Sequence, residues 1–192
     1  MMPDTAFTEL VSQRVKLRRF RPGDAAAFAA YRSDPAVARY QGWDAPYSLR
    51  QAEQFTAELA TADPDTPGSW FQFAIAGLAD DSVLLGDCGA GVQLDDPRQV
   101  EIGFTLAPAH QGHGYAAEAV RLLLGYLFGP LGKHRVFATC DPRNAASARL
   151  LRRSGLRQEG HHRQSTWAKG EWADDLTFAI LAGEWHQGGV GL

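Results

Sequence analysis

The sequence has few cysteines, no long apolar run and no surplus of basic residues. Its two cysteines, Cys88 and Cys140, provide neither a disulfide framework nor the four thiolates of a structural zinc site. No window approaches the ~18 apolar residues of a membrane span, and the N-terminus lacks the basic start and apolar stretch of a signal peptide. A cytoplasmic protein without a membrane partner is therefore expected. The net charge of −3 also argues against a nucleic-acid partner.

The small net charge conceals two oppositely charged regions. Residues 63–101 contain eight acids and one base, whereas residues 133–163 contain eight bases and two acids. Such asymmetry is typical of solvated faces, but it is also typical of a protein that binds a phosphate-bearing ligand at one pole and a cation at the other. Both interpretations stay open at this point.

The hydrophobic pattern predicts one α/β domain with a mixed sheet. Predicted strands cover residues 15–20, 70–76, 83–94, 100–106, 135–140, 156–164 and 175–181; predicted helices cover residues 25–32, 37–40, 48–62, 115–128 and 145–154. Asp24, Ser48 and Asn144 are predicted helix caps, with Gln51 completing a capping box at Ser48. The order of elements is not a regular alternation of strand and helix, which favours a mixed sheet.

The most informative segment runs from Glu101 to Glu118, where a strand leads into a glycine-containing turn and then a helix. Free amides at a helix start attract anions, and glycines let phosphate oxygens approach the backbone. Gly112 to Ala117 formally matches the dinucleotide fingerprint G-x-G-x-x-A. The spacing argues against that motif, because residues 107–111 separate the turn from its strand and only 80 residues follow Gly112. There is no G-x-x-x-x-G-K-[ST] phosphate loop.

The alternative motif is Gln111-x-x-Gly114-x-Ala116, which resembles the acyl-CoA-binding signature Q/R-x-x-G-x-G/A of the GNAT N-acetyltransferases. An Asn-led helical segment, residues 144–156, resembles the second motif of that family. Residues 15–24 and 171–181 are similar to the RimJ/RimL-type subgroup. The resemblance covers about residues 10–185. It implies a single N-acetyltransferase domain over residues 1–192, with a mixed, mostly antiparallel sheet, a central splayed parallel strand pair and flanking helices.

The resemblance also implies a reaction. The acceptor, a primary amine on a small molecule or a protein N-terminus, would attack acetyl-CoA directly, without a covalent enzyme intermediate. Acetyl-CoA would be the co-substrate, with a longer acyl donor left open, and the family allows a homodimer. No metal is expected, because the His161-His162 pair has no third ligand nearby. The alternative from another class is a non-catalytic acyl-CoA-binding or regulatory module on the same fold.

The resemblance assigns cofactor roles to particular residues. The backbone of Phe104, Thr105 and Leu106 would meet the pantetheine arm and the thioester. Asn144 would hydrogen-bond the arm, and Arg152 would contact a phosphate of CoA. The pyrophosphate would be cradled by the turn, which consists of Gln111, Gly112, His113, Gly114, Tyr115 and Ala116.

Two residues are candidates for proton transfer. Many relatives carry an acidic Tyr at the position of Leu151, and since leucine cannot donate a proton, Ser147 is the better candidate acid. Its hydroxyl could equally bond a preceding helix carbonyl. Glu101 is the candidate base. The alternative interpretation is that Glu101 is an ordinary surface residue of its strand. RimL-like relatives can carry a Glu in the stretch that reads Arg163-Gln-Ser-Thr-Trp167 here, which has no carboxylate.

Aromatic residues are candidates for the wall of the acceptor cavity. Trp43 and Tyr47 lie in a loop between early helices, where this family shapes its substrate entrance. Tyr40 and Trp70 are the two other candidates. The alternative interpretation is that these rings contribute to packing.

Overall fold

The computed structural model describes residues 7–187. The eight strands are β1 Glu9–Val11, β2 Val15–Arg18, β3 Trp70–Gly77, β4 Leu84–Val92, β5 Gln99–Leu106, β6 Arg135–Cys140, β7 Arg157–Ala168 and β8 Glu171–Leu181. The six α-helices are α1 Ala25–Arg32, α2 Pro35–Ala38, α3 Leu49–Leu59, α4 Tyr115–Phe128, α5 Ala145–Arg153 and α6 Ala182–Gln187. Within this described range, no helix is long and apolar enough to cross a membrane.

All eight strands form one sheet in the order β1-β2-β3-β4-β5-β6-β8-β7. Every neighbouring pair is antiparallel except β5 and β6, which are parallel. Those two strands pair only from Gln99–Arg135 to Glu101–Phe137, although β5 continues to Leu106. The predicted mixed sheet with a central parallel pair that splays apart is therefore confirmed.

The two faces of the sheet are covered by different helices. On one face, Phe73 of β3 contacts Tyr126 of α4, with ring centroids 6.1 Å apart. On the other face, the hydroxyl of Tyr31 in α1 donates a hydrogen bond to Asp87 of β4. Side chains alternate along a strand, so Gly89 and Gly91 lie on the Asp87 face. Gly91 is directly opposite Glu101, which places Glu101 on the α1 face as well.

Glycines in β4 allow larger side chains of β3 to lie over the neighbouring strand. A Cβ atom on Gly91 would meet the Trp70 indole at 2.5 Å, and one on Gly89 would meet the Gln72 amide at 2.7 Å. The sheet also has a register shift between Ile75 and Ala76. The β4 glycines therefore lie where β3 side chains approach the β4 backbone closely and beside a shift in the β3–β4 pairing register.

Two of the three predicted helix caps are confirmed. Ser48 and Gln51 form the capping box, and the Asn144 side chain accepts a hydrogen bond from the Ser147 amide at 3.2 Å. The cap predicted at Asp24 is wrong. Its buried carboxylate instead forms an ion pair of 2.7 Å with Arg18 and makes no capping bond to α1. A buried charge is destabilising unless an opposite charge pairs with it.

The sequence pattern missed the short strand β1 and the final helix α6. It also ended β7 four residues early and began β8 four residues late. The added residues form a long exposed hairpin that ends in the turn at Lys169 and Gly170. Exposed strands lack the alternation of buried and polar residues on which such a prediction depends.

Candidate active site

Three neighbouring cavities surround the point where β5 and β6 separate. The turn cavity, of about 340 Å³, extends from Phe104–Leu106 to the Gly-rich turn and Asn144. The strand gap, of about 70 Å³, lies between residues 102–104 and 138–140. The outer cavity, of about 550 Å³, extends from Thr139 and Cys140 to the β7–β8 hairpin. Tyr40 and Gln41 line all three.

The strand gap shares walls with both larger cavities. It shares Phe104, Asn144 and Ser147 with the turn cavity. It shares Thr139 and Cys140 with the outer cavity. The three cavities therefore adjoin one another where the two strands separate. The separation also leaves backbone groups beyond Glu101 without a partner strand on that side.

Most of the predicted cofactor residues lie in the turn cavity. Its lining brings together the predicted residues Phe104, Thr105, Leu106, Gln111, Gly112, Ala116 and Asn144. The Gln111 side chain donates a hydrogen bond of 3.1 Å to the Leu106 carbonyl, which ties the turn to the end of β5. Residues that are up to 40 positions apart in sequence thus converge on one site.

The Gly-rich turn has the backbone conformation that its glycines permit. Gly112 and Gly114 have φ angles of +80° and +84°, in the left-handed region that other residues rarely adopt. Open space lies where Gly112 would carry a Cβ atom. Helix α4 begins directly afterwards at Tyr115, so its first amides have no intrahelical acceptors. These features fit an anionic group such as a pyrophosphate.

Arg14 holds this turn from the β1–β2 connection, a contact that sequence spacing does not reveal. Its guanidinium donates to the His113 carbonyl at 3.0 Å and forms an ion pair of 2.7 Å with Glu118 in the first turn of α4. It also lies over the Tyr115 ring, 5.2 Å from the centroid. The side chains of His113 and Tyr115 stack on each other, and neither lines the turn cavity.

Arg152, the predicted phosphate contact, lies elsewhere. It donates a hydrogen bond of 2.7 Å to Gln158 and lies over the Phe178 ring. Its neighbour Arg153 instead lines a separate cavity of about 540 Å³ beside Gly114, together with Arg14 and Arg121. Arg14, Arg121 and Arg153 therefore line the same cavity as Gly114 of the turn.

Glu101 stands at the last paired position of the parallel strands. The Thr139 hydroxyl donates a hydrogen bond of 3.0 Å to Glu101 Oε1, and Thr139 lines both the strand gap and the outer cavity. Burial raises the pKa of the Glu101 carboxyl, the Thr139 hydrogen bond lowers it in part, and the negative charge of Asp175 raises it again. A carboxylate in this setting is suited to accept a proton.

Ser147 lies at the junction of the turn cavity and the strand gap. Within residues 7–187 its hydroxyl makes none of the observed side-chain hydrogen bonds, so the alternative bond to a preceding helix carbonyl is not seen. Leu151, at the position where many relatives carry Tyr, is buried and lines the strand gap. Its apolar side chain fills the wall without offering a proton.

Of the four aromatic residues predicted to line the acceptor cavity, Tyr40 lines the outer cavity. Trp43 and Tyr47 do not line it, because both rings pack around the buried guanidinium of Arg32, at 3.9 and 5.4 Å from its central carbon. The Trp43 indole also donates to the Arg32 carbonyl at 3.1 Å. The cage includes Phe28 and Phe55, and Arg32 lies 3.6 Å from the buried Asp87.

Trp70 lies outside these cavities but on the same sheet face as Glu101. Its ring crosses Gly91 and comes within 3.8 Å of where Gly103 would carry a Cβ atom. Trp70 is 49% exposed. It forms an open aromatic surface beside β5 rather than a cavity wall.

Asp175 of β8 is the functional candidate that sequence reasoning missed. It lines the outer cavity, and its Oδ2 atom accepts hydrogen bonds from the hydroxyls of Ser165 and Thr166. Ser165 and Thr166 belong to residues 163–167 of β7, the stretch in which RimL-like relatives can carry a Glu and this chain has none. Strand β8 lies between β6 and β7, so the carboxylate of Asp175 faces that stretch from the neighbouring strand.

The described residues contain no group of three or more His, Cys, Asp and Glu side chains arranged to hold a metal ion. His161 forms a hydrogen-bonded pair with Asp174 at 2.8 Å, on the exposed hairpin.

Comparison with known proteins gives a consistent result. Residues 14–157 match the model of an acetyltransferase (GNAT) domain. YnaD of Bacillus subtilis (strain 168), an uncharacterised N-acetyltransferase, is 31% identical over 179 residues, which cover 92% of this chain and 99% of YnaD. The [ribosomal protein uS5]-alanine N-acetyltransferase of Escherichia coli (strain K12) is 29% identical over 87 residues, 45% of each chain. The structure of Mycobacterium smegmatis RimJ in complex with CoA-disulfide has a TM-score of 0.82 and 25% identity, covering 97% of this chain and 95% of RimJ.

Proposed function

The chain belongs to the GNAT family of acetyltransferases, and from that premise we propose that it transfers an acetyl group from acetyl-CoA to a primary amine by direct attack in a ternary complex. The observation that carries this proposal is the set of adjoining cavities where β5 and β6 separate, with the Gly-rich turn at one end and the unpaired Asp175 carboxylate at the other. A donor and an acceptor entering from these two ends would meet at the strand gap.

The residues of the turn cavity fit the donor. Acetyl-CoA supplies an activated acetyl thioester whose thiolate is a good leaving group. The amides at the start of α4 would hold its pyrophosphate, and the unpaired backbone of residues 104–106 would hydrogen-bond its pantetheine amides. The Asn144 carbonyl oxygen already caps α5, so the amide NH₂ group is the part of this side chain that remains for the pantetheine arm.

Glu101 would act as the general base, directly or through a water molecule. It would accept one proton from the acceptor ammonium, and the neutral amine would then attack the thioester carbon. The carbon–nitrogen bond forms, the carbon–sulfur bond breaks and the sulfur leaves with the electron pair. The second proton of the amine passes to the thiolate, with Ser147 positioned to relay it.

The acceptor belongs to one of two branches. The relatives RimJ and the uS5-alanine N-acetyltransferase support a protein N-terminus as acceptor. A small-molecule amine is the second branch, because a fold and its cofactor site do not determine the acceptor. The outer cavity of about 550 Å³ has room for either an N-terminal residue or a small amine.

A thiol-release assay tests the proposal. Acetyl-CoA is incubated with the protein and a panel of small amines and short peptides, and product mass identifies the acetylated acceptor. Acceptor-dependent release of CoA is expected. Calorimetric CoA binding without release on any acceptor would overturn the enzymatic proposal. That result would favour the non-catalytic acyl-CoA-binding or regulatory module. Leu151 is consistent with that alternative, because leucine cannot donate a proton.

A further inference from the structure

The outer cavity is lined by three acidic and three basic residues, and within residues 7–187 Asp175 is the acidic one that no basic side chain pairs with. Arg143 is bound by Asp141 and Glu171, at 2.6 and 2.7 Å. Lys169 forms an ion pair of 2.7 Å with Asp44 across the cavity entrance. Arg39, the remaining basic residue of the lining, lies against the Tyr40 ring. Within residues 7–187, neither Asp175 nor Glu101 has a basic side chain within ion-pair distance.

Asp175 and Glu101 are held in a similar way. Neutral hydroxyls donate to one oxygen of each carboxylate, Ser165 and Thr166 to Asp175 Oδ2 and Thr139 to Glu101 Oε1. Neutral donors orient a carboxylate without cancelling its charge. The other oxygen, Asp175 Oδ1 or Glu101 Oε2, takes no hydrogen bond from the described residues. Each carboxylate is therefore fixed and still able to bind a cation.

The two carboxylates lie on the same side of the sheet but at different positions. Thr139, which binds Glu101, is directly opposite Thr177 of β8, and Asp175 is two residues from Thr177 on the same face. Thr139 and Asp175 are therefore diagonal neighbours, whose Cα atoms are roughly 7 to 8 Å apart. Glu101 immediately precedes the β5 residues that line the strand gap, whereas Asp175 lines the outer cavity beside the hairpin.

We propose that Asp175 binds a second cationic group of the acceptor, so that the enzyme prefers amines with two positive charges over otherwise similar monoamines. This inference rests on the proposed function, in which Glu101 receives the amine that becomes acetylated. Asp175 acts here as a specificity-determining residue, because it contacts the acceptor at a distance from the reacting nitrogen.

The test compares two acceptors that differ in the second charge, the diamine putrescine and butylamine. The wild-type protein should have the higher kcat/KM for putrescine. Asp175→Asn should lower that value by about tenfold or more, the range expected for a lost hydrogen bond to a charged group. Because the Asp175 charge also raises the pKa of Glu101, both acceptors are compared on the plateau of the pH–rate profile, where the value for butylamine should be nearly unchanged. Asp175→Glu should retain part of the preference, because it keeps the charge.

Asp174→Asn is the matched control. Asp174 is adjacent in β8, but its side chain is on the opposite face, paired with His161. This variant should keep the preference for putrescine. Equal losses for both acceptors in Asp175→Asn, or a wild-type protein without preference, would overturn the inference.

Calorimetry separates this inference from the proposed function. Putrescine and butylamine are titrated into the CoA-loaded protein, where no turnover is needed. Tighter binding of putrescine that disappears in Asp175→Asn supports the inference, and equal binding of both amines by the wild type contradicts it. Absence of thiol release with every amine would defeat the proposed function alone.

Discussion

The Thr139 hydroxyl donates a hydrogen bond of 3.0 Å to Glu101 across the two strands, beside the point where their backbone pairing ends. A side-chain bond thus spans the strands where the ladder of backbone bonds stops. It orients the carboxylate at the edge of the strand gap. The proposed base is therefore held at the place where the two strands begin to separate.

Glu101→Gln should lower kcat by at least about 10², within the usual contribution of general base catalysis. Part of the loss should be recovered at high pH, where more of the free acceptor is already neutral. The measurement is a pH–rate profile of thiol release. Glu58→Gln, on the exposed surface of α3, is the control and should keep the wild-type profile. An unchanged profile in Glu101→Gln would remove Glu101 from the mechanism.

Thr139→Val should shift the acidic limb of the pH–rate profile to higher pH. The Thr139 hydrogen bond lowers the pKa of Glu101, so its removal leaves burial and the Asp175 charge to raise that pKa further. A base with a higher pKa remains protonated, and therefore inactive, to a higher pH. Thr139→Ser keeps the hydroxyl and should restore the original limb. A valine variant with an unshifted limb would contradict this account of Glu101.

Gly114→Trp should abolish CoA binding as measured by calorimetry. The turn requires a φ angle of +84° at this position, and a large side chain would occupy space beside the Arg14 guanidinium and the start of α4. Gly132→Trp is the control, because Gly132 also has a positive φ and open surroundings but lies in the α4–β6 connection. Unchanged CoA affinity in a folded Gly114→Trp variant would refute the assignment of the turn.

Arg32→Met should destabilise the protein at neutral pH by about 3 to 5 kcal/mol, the usual cost of leaving a buried charge unpaired. Arg32 lies 3.6 Å from Asp87, and both side chains are buried. Adding Asp87→Asn should recover part of the loss, since the unpaired carboxylate disappears. Denaturant unfolding of the wild type and both variants measures this coupling. Additive losses in the double variant would show that the two residues do not form a pair.

Regular elements and the conformation of the Gly-rich turn were predictable because their signals are local. Helix α4 begins and ends where the sequence predicts, since its apolar spacing and flanking glycines are contiguous in the chain. The packing of Trp43 and Tyr47 was not predictable because their partner is the guanidinium of Arg32, and no local pattern shows a buried cation. The position of Asp175 in the outer cavity was missed because it depends on β8 lying between β6 and β7, a strand order that spacing alone does not encode.

Cys140 provides a chemical probe of the strand gap. Burial raises the pKa of its thiol to about 11, opposed by the positive charge of Arg152 and reinforced by Asp141 and Asp175. Because the thiolate is the reactive form, alkylation should be slow at neutral pH and accelerate as the pH rises toward that value. Mass spectrometry of the native protein should find the adduct on Cys140 and not on the fully buried Cys88.

The same alkylation reports on the ligand path. Cys140 lines the strand gap between the turn cavity and the outer cavity, so bound acetyl-CoA, which has no free thiol to consume the reagent, should slow its modification at a fixed alkaline pH. Cys140→Ser should show no adduct under these conditions, which assigns the signal, and unfolding in denaturant should expose Cys88 as a positive control. Rapid labelling at neutral pH would contradict the raised pKa. Equal rates with and without saturating acetyl-CoA would mean that the thioester arm does not enter the gap between β5 and β6.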